Sequence, residues 1–223
     1  MGISKDDAHT GIIARAFNFT GAATVLYEIC RLHPAGGKML LILPPLAVYL
    51  AEAVLLIAPP PGKIAVTREW MAYFYASAAM ILPLLGFVAA PGSGPRQLAA
   101  LGADIGLVAN FVQLYSLTYL GRSFSVLPES RTLVTRGPYA YVRHPVYAAY
   151  MLWGLGSFLI SPGWKYGIFL VGAYSLQFLR ARAEEKLLLE SQPGYADYFR
   201  RVPMLIPDLG KLLQEFAEYL LKY

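Results

Sequence analysis

One cysteine, Cys30, occurs in 223 residues, so no intramolecular disulfide can form and the redox compartment stays open. Histidine is also scarce, at three residues, and no His/Cys group stands at zinc-ligand spacing; no bound metal is expected. Charged residues make up only 15% of the chain, where a soluble domain carries about 25%. The formal net charge is +5, but the basic residues sit between apolar runs rather than on one face, which argues against a nucleic-acid partner. The opening MGISKDDAHTG lacks the basic, apolar and small-residue order of a secretory signal. Internal repeats and low-complexity tracts are absent.

Apolar runs are abundant. Hydrophobic residues reach 57% and mean hydropathy is +0.46. Several runs approach the roughly 20 residues that cross a bilayer. Met39–Ala58, Trp70–Ala90 and Leu98–Leu120 read as spans. Pro145–Ile160 and Trp164–Leu179 read as a hairpin closed by Ser161-Pro162-Gly163, each short unless extended at its end. Ile12–Leu32, broken by Asn18, reads as either a sixth span or an interfacial helix. The expected fold is therefore all-α: a polytopic membrane bundle of five to six transmembrane helices with a C-terminal helical hairpin. Glu52 lies within the first of these spans, and Asp104, Asn110 and Gln113 within the third; polar groups at such depth are costly.

Lys and Arg in short loops set orientation. Lys63, Arg68, Arg122, Arg131, Arg136, Arg143 and the basic tail from Arg180 fall on one side, expected to be cytoplasmic. Lys38, Arg96 and Lys165 fall on the other. Asp208–Tyr223 places Leu209, Leu212, Leu213, Phe216 and Leu220 at helical spacing, the pattern of an amphipathic interfacial helix. Three regions follow: residues 1–120 as transmembrane scaffold and substrate side, 121–207 as a polar, motif-rich region, and 208–223 as the tail helix.

Two polar clusters lie on the basic side. The first is RGPYAYVRHPVY, Arg136–Tyr147. Gly137-Pro138 marks a turn, and Pro145 fits the first turn of a helix, where its missing N–H costs nothing. His144 then stands at the helix N-terminus, whose free N–H groups and partial positive charge favour an anion. Tyr139, Tyr141 and Tyr147 add aromatic faces. The second cluster is RARAEEKLLLE, Arg180–Glu190, in which Arg182 and Glu185 are three apart and share a helix face. A tight hairpin would bring the two clusters together. A third element spaces Tyr195, Tyr198 and Arg201 on one face before Pro203 and Pro207, as either a lid or a surface helix.

TLVTRGPYAYVRHPVY, then RARAEEKLLL, then GYADYFRRVPMLIP, in that order, resembles the isoprenylcysteine carboxyl methyltransferase family and the wider group of integral-membrane phospholipid methyltransferases. The resemblance covers about Arg131 to Pro207. It implies an S-adenosylmethionine-dependent membrane enzyme acting on a lipophilic small molecule or lipid. The cofactor would be held by Arg131, Thr132, Leu133, Val134, Tyr139, His144 and Tyr147, and closed over by Glu185 or Glu184. Arg182, with Glu185 or Glu184, would serve catalysis. Arg182, Tyr195, Tyr198 and Arg201 would meet the substrate. No obligate protein partner is implied. The expected location is a bacterial inner membrane or its equivalent, with the active site facing the cytoplasm. Ala149 replaces a glycine usual in the family, and Pro193-Gly194 replaces its Phe-Gly. The acceptor group stays open among a prenylcysteine carboxyl, a phospholipid amine and a small thiol. Two alternatives are weaker. An NADPH-dependent sterol or steroid reductase would show an Asn before the tyrosine and a Gly-Glu after it, where this chain reads HPVYAAY. A transporter would need paired broken helices that the sequence lacks.

Overall fold

The computed structural model describes residues 94–123, 129–130 and 132–222, with short pieces at 47–48, 50–51, 54–55, 65–66, 71, 74–75 and 78. The expected segment Ile12–Leu32, most of Met39–Ala58 and Trp70–Ala90, and the residues Cys30, Glu52 and Arg131 lie outside them.

Helix α1, Arg96–Leu120, is 25 residues long. At 1.5 Å per residue it extends about 37 Å, more than the hydrocarbon thickness of a bilayer. Among the described residues it is the one helix long and apolar enough to cross a membrane, and only 22% of its most apolar window is buried within the protein. Leu98, Leu101, Val108 and Phe111 face outward. A core helix of a soluble protein would hide such a surface. The opposite face is small and polar, with Gly102, Asn110, Gln113 and Ser116 buried. Ser116 folds its hydroxyl back onto the Val112 carbonyl at 2.6 Å.

Helix α2, Pro145–Ile160, has 16 residues, and helix α3, Trp164–Ser191, has 28. The expected turn at Ser161–Gly163 separates them. Helix α2 starts at the proline and is not lengthened, whereas α3 carries its charged half on as helix to Ser191. Glycines let α1 and α2 approach to backbone contact. A Cβ added to Gly156 would lie 2.6 Å from the Gly102 carbonyl oxygen and 3.0 Å from the Gly106 nitrogen. This is the small-residue crossing by which membrane helices pack closely. The N–H of Gly94 donates to the Ile160 carbonyl and ties the far ends together. Helix α3 meets α2 through Phe158 and Tyr166, whose rings lie 6.1 Å apart, and through the Tyr174 hydroxyl, which donates to the Met151 carbonyl.

The described residues are helical as expected, with one short ladder beside the helices. Strands β1, Ala65–Val66, and β2, Glu129–Ser130, pair antiparallel, with Ala65 opposite Ser130 and Val66 opposite Glu129. This two-residue ladder is the one sheet among the described residues, and β2 lies shortly before residues 132–134. A 3₁₀ turn at Gly137–Ala140 follows. Gly137 has φ 63°, and any Cβ there would strike the Tyr119 ring at 2.6 Å, so glycine alone fits.

Helix α4, Tyr195–Arg201, begins after Gly194 at φ 81°, a left-handed turn that re-aims the chain after α3. Helix α5, Leu209–Lys222, is amphipathic, with Leu209, Leu213, Leu220 and Leu221 exposed. The Asp208 carboxylate accepts from the Gly210 N–H at 2.9 Å at its start. The apolar core nearest the polar clusters consists of Val48, Leu117, Val146, Tyr147 and Ala181, drawn from α1, α2, α3 and residue 48.

Candidate active site

The N-terminus of α2 and the charged half of α3 converge, as their sequence clusters suggest. His144 is the residue before α2, and Pro145 fills the first helical position. His144 Nε2 lies 3.2 Å from Glu185 Oε1 on α3. A carboxylate only accepts, so this ring nitrogen carries the proton. The imidazole at the start of α2 is thus tied to a carboxylate of α3.

Glu185 is doubly held. Arg143 Nε donates to the same Oε1 at 2.6 Å, and the two side chains are only 9% and 4% exposed. Burial on its own would raise the Glu185 carboxyl; the hydrogen bonds from His144 and Arg143 outweigh it and hold the group below its usual value of 4.5. The neighbouring Glu184 turns to a different side. Its Oε2 accepts from the Tyr147 hydroxyl at 2.6 Å and lies 4.0 Å from His144 Nδ1. The rings of His144 and Tyr147 stack, with centroids 5.1 Å apart and planes 9° off parallel. On the Tyr147 ring rests the Arg180 guanidinium, 4.7 Å from the centroid.

His144, Tyr147 and Glu184 help to wall a half-open cavity. Thr132, Leu133 and Val134 form one side, with Tyr139 beside them. His144, Tyr147 and Glu184 form the second. Tyr195 and Tyr198 come from α4, and Leu120, Val146 and Leu188 give it an apolar lip. Tyr139 and Tyr195 are buried, and their hydroxyls are pushed up in pKa by burial first and by the nearby glutamate charges second. Tyr198 donates to the Tyr139 carbonyl at 2.7 Å. The Tyr195 hydroxyl is buried and has no hydrogen-bond partner among the described residues.

Most of the residues singled out in the sequence gather here: Thr132, Leu133, Val134, Tyr139, His144, Tyr147, Glu184, Tyr195 and Tyr198 on the walls, with Glu185 behind them. Two do not. Arg182 is exposed, its guanidinium 6.0 Å from the Phe178 ring, and Arg201 is exposed with its Nε on the Asp197 carbonyl. Spacing placed Arg182 and Glu185 on one helix face, but Glu185 turns inward at the edge of that face while Arg182 stays outside. Two buried arginines hold positions that the sequence reading gave to loop charge. Arg143 faces Glu185, and Arg180 faces Tyr147. Their signal was available: each lies one or two residues from a motif position, on the side facing the other cluster.

The model of the isoprenylcysteine carboxyl methyltransferase family matches residues 102–190. Among curated relatives, the cobalt-zinc-cadmium resistance protein CzcN of Cupriavidus metallidurans is 33% identical over 100 residues, covering 43% of this chain and 46% of that protein. The protein-S-isoprenylcysteine O-methyltransferase of Schizosaccharomyces pombe is 30% identical over 118 residues, covering 50% of this chain and 49% of that protein. The chain spans about half the length of the curated relatives it matches. A solved structure of the eukaryotic intramembrane Ras methyltransferase superposes with TM-score 0.46 at 18% identity over 88% of this chain and 86% of that one. Among the described residues no three His, Cys, Asp or Glu side chains gather as a metal site would need. The motif resemblance, Arg131 to Pro207, and the match of the family model overlap over residues 131–190, so the stretch that carries α2 and nearly all of α3 is similar to the isoprenylcysteine carboxyl methyltransferase family.

Proposed function

We propose that this protein is a membrane methyltransferase that uses S-adenosylmethionine to methylate a lipophilic acceptor. The observation that carries the reading is the cavity where the α2 N-terminus meets the polar half of α3, with a carboxylate, stacked aromatic rings and a buried, unpartnered hydroxyl on its walls.

The residues fit such a cofactor. Glu184 offers negative charge to a cationic centre, and the rings of Tyr139 and His144 offer flat faces to a base or to a cation. The Tyr195 hydroxyl, lacking an internal partner, is supplied with one by a polar ligand. Bound there, S-adenosylmethionine supplies an electrophilic methyl group that needs neither metal nor covalent enzyme intermediate. What this chain contributes is alignment and dryness. Holding the reacting groups in line lowers a barrier by roughly 7–11 kcal/mol. The apolar lip of Leu120, Val146 and Leu188 keeps water off and suits a lipid chain. Arg182, in the solvent-facing position, is not placed to orient an acceptor head, and Arg180 backs the Tyr147 wall instead. The loop charges favour a cytoplasmic cavity.

The test is direct. Purified protein is incubated with methyl-labelled S-adenosylmethionine and a total lipid extract, and the labelled product is identified by mass. Label is expected in a lipophilic carboxyl ester, amine or thioether. Absence of transfer, together with NADPH oxidation by the protein when it is given the same extract as acceptor, would replace the reading with a reductase.

A further inference from the structure

Arg143 makes more contacts than an ion pair with Glu185 requires. Besides Glu185 Oε1, its Nη1 donates to the carbonyl of Phe199 at 2.7 Å and to that of Val202. Those two carbonyls lie at the end of α4, where a helix leaves its last acceptors without internal partners. The guanidinium also lies 4.2 Å from the Phe199 ring centroid. The backbone continues the attachment: Arg143 N–H donates to the Pro203 carbonyl at 2.9 Å and His144 N–H to that of Met204 at 3.0 Å. One residue therefore grips α3 through a carboxylate and the strap 195–204 through two carbonyls and a ring. That strap carries Tyr195 and Tyr198, which complete the cavity.

We propose that Arg143 is a positioning residue of the site: its guanidinium caps α4, latches the strap to α3 and so sets how tightly the cavity holds a ligand. The latch needs a planar fork with several donors, which Arg has and Lys lacks. The ligand half of the proposal rests on the methyltransferase reading; the latch half does not.

Arg143→Ala would strand the buried Glu185 charge and risk unfolding. Arg143→Lys keeps a charge for Glu185 but cannot also reach both carbonyls. Hydrogen exchange is measured on the full chain in detergent micelles, at the amides of Arg143, His144, Tyr198 and Val202 and, for reference, at those of α1. In Arg143→Lys the first set is expected to exchange about tenfold faster or more, the scale of a hydrogen bond to a charged group, with α1 unchanged. S-adenosylmethionine, titrated calorimetrically, is expected to bind about tenfold more weakly. Tyr198→Phe, which cuts the separate tie to the Tyr139 carbonyl, is expected to loosen the same amides. The latch is overturned if Arg143→Lys leaves these amides at wild-type protection. It is equally overturned if α1 loses as much protection as the strap, since Arg143 would then only support global stability. Wild-type protein that fails to bind S-adenosylmethionine rejects the methyltransferase reading, while the exchange pattern still decides the latch.

Discussion

Glu184 and Glu185 are separated by roughly 100° of helix rotation, so adjacent carboxylates meet different surroundings. Glu185 points to Arg143 and His144, Glu184 to Tyr147 and the cavity. The two should fail differently when neutralised. Glu185→Gln leaves Arg143 buried without its counter-ion and is expected to cost about 3–5 kcal/mol, read as a fall in thermal midpoint in detergent. Glu184→Gln is expected to keep the midpoint near wild type and to weaken S-adenosylmethionine binding by about tenfold, read by calorimetric titration. A pH dependence follows for Glu185. Its carboxyl is held below 4.5, so its stabilisation is fully present above that value and is lost as pH falls through the lower folded value. Thermal midpoints are expected to be level from neutral pH down to about 5 and then to drop, with the drop reduced in Glu185→Gln. The sequence left these two residues interchangeable. Their roles depend on which face of α3 turns inward, and helical spacing fixes relative faces but not which of them is buried.

At the scale of elements, punctuation was legible and packing was not. Pro145 opens α2 and Ser161–Gly163 separates it from α3, as the sequence suggests, because proline and glycine act through local backbone geometry. The α1–α2 crossing was not read, although Gly102 and Gly106 stand four apart, because only the partner's Gly156 gives that spacing its meaning. Nor could the strap be placed. The pairing of Arg143 with Pro203 spans sixty residues, and no local signal fixes such a register. The crossing is open to test. Gly156→Leu drives a side chain into the α1 backbone and is expected to destabilise by about 1–3 kcal/mol or more. Gly106→Ala, whose Cβ meets nothing within 4 Å, is the control and is expected to be neutral or to gain roughly 0.5–1 kcal/mol. Unfolding in a graded detergent series separates the two.

Taken whole, the described residues form an apolar exterior with one polar end. Leu98, Leu101, Val108 and Phe111 on α1, and Ile168 and Val171 on α3, face outward, while the carboxylates and the buried arginines gather at the other end. Such a body is expected to stay with the membrane pellet through an alkaline carbonate wash, and recovery in the supernatant would contradict the spanning reading of α1. Helix α5 is expected to hold the polar end at the lipid surface through Leu209, Leu213 and Leu220. A synthetic 208–223 peptide should gain helicity with lipid vesicles, seen by circular dichroism. The strap bears on how the protein is made. Chains emerge in order, so α1, α2 and α3 leave the ribosome before residues 195–204 do. A released product that ends between Ser191 and Tyr195 is therefore expected to keep α1, α2 and α3 and to leave an open basin. Such a product would differ from the whole protein by its missing cover and not by a missing span.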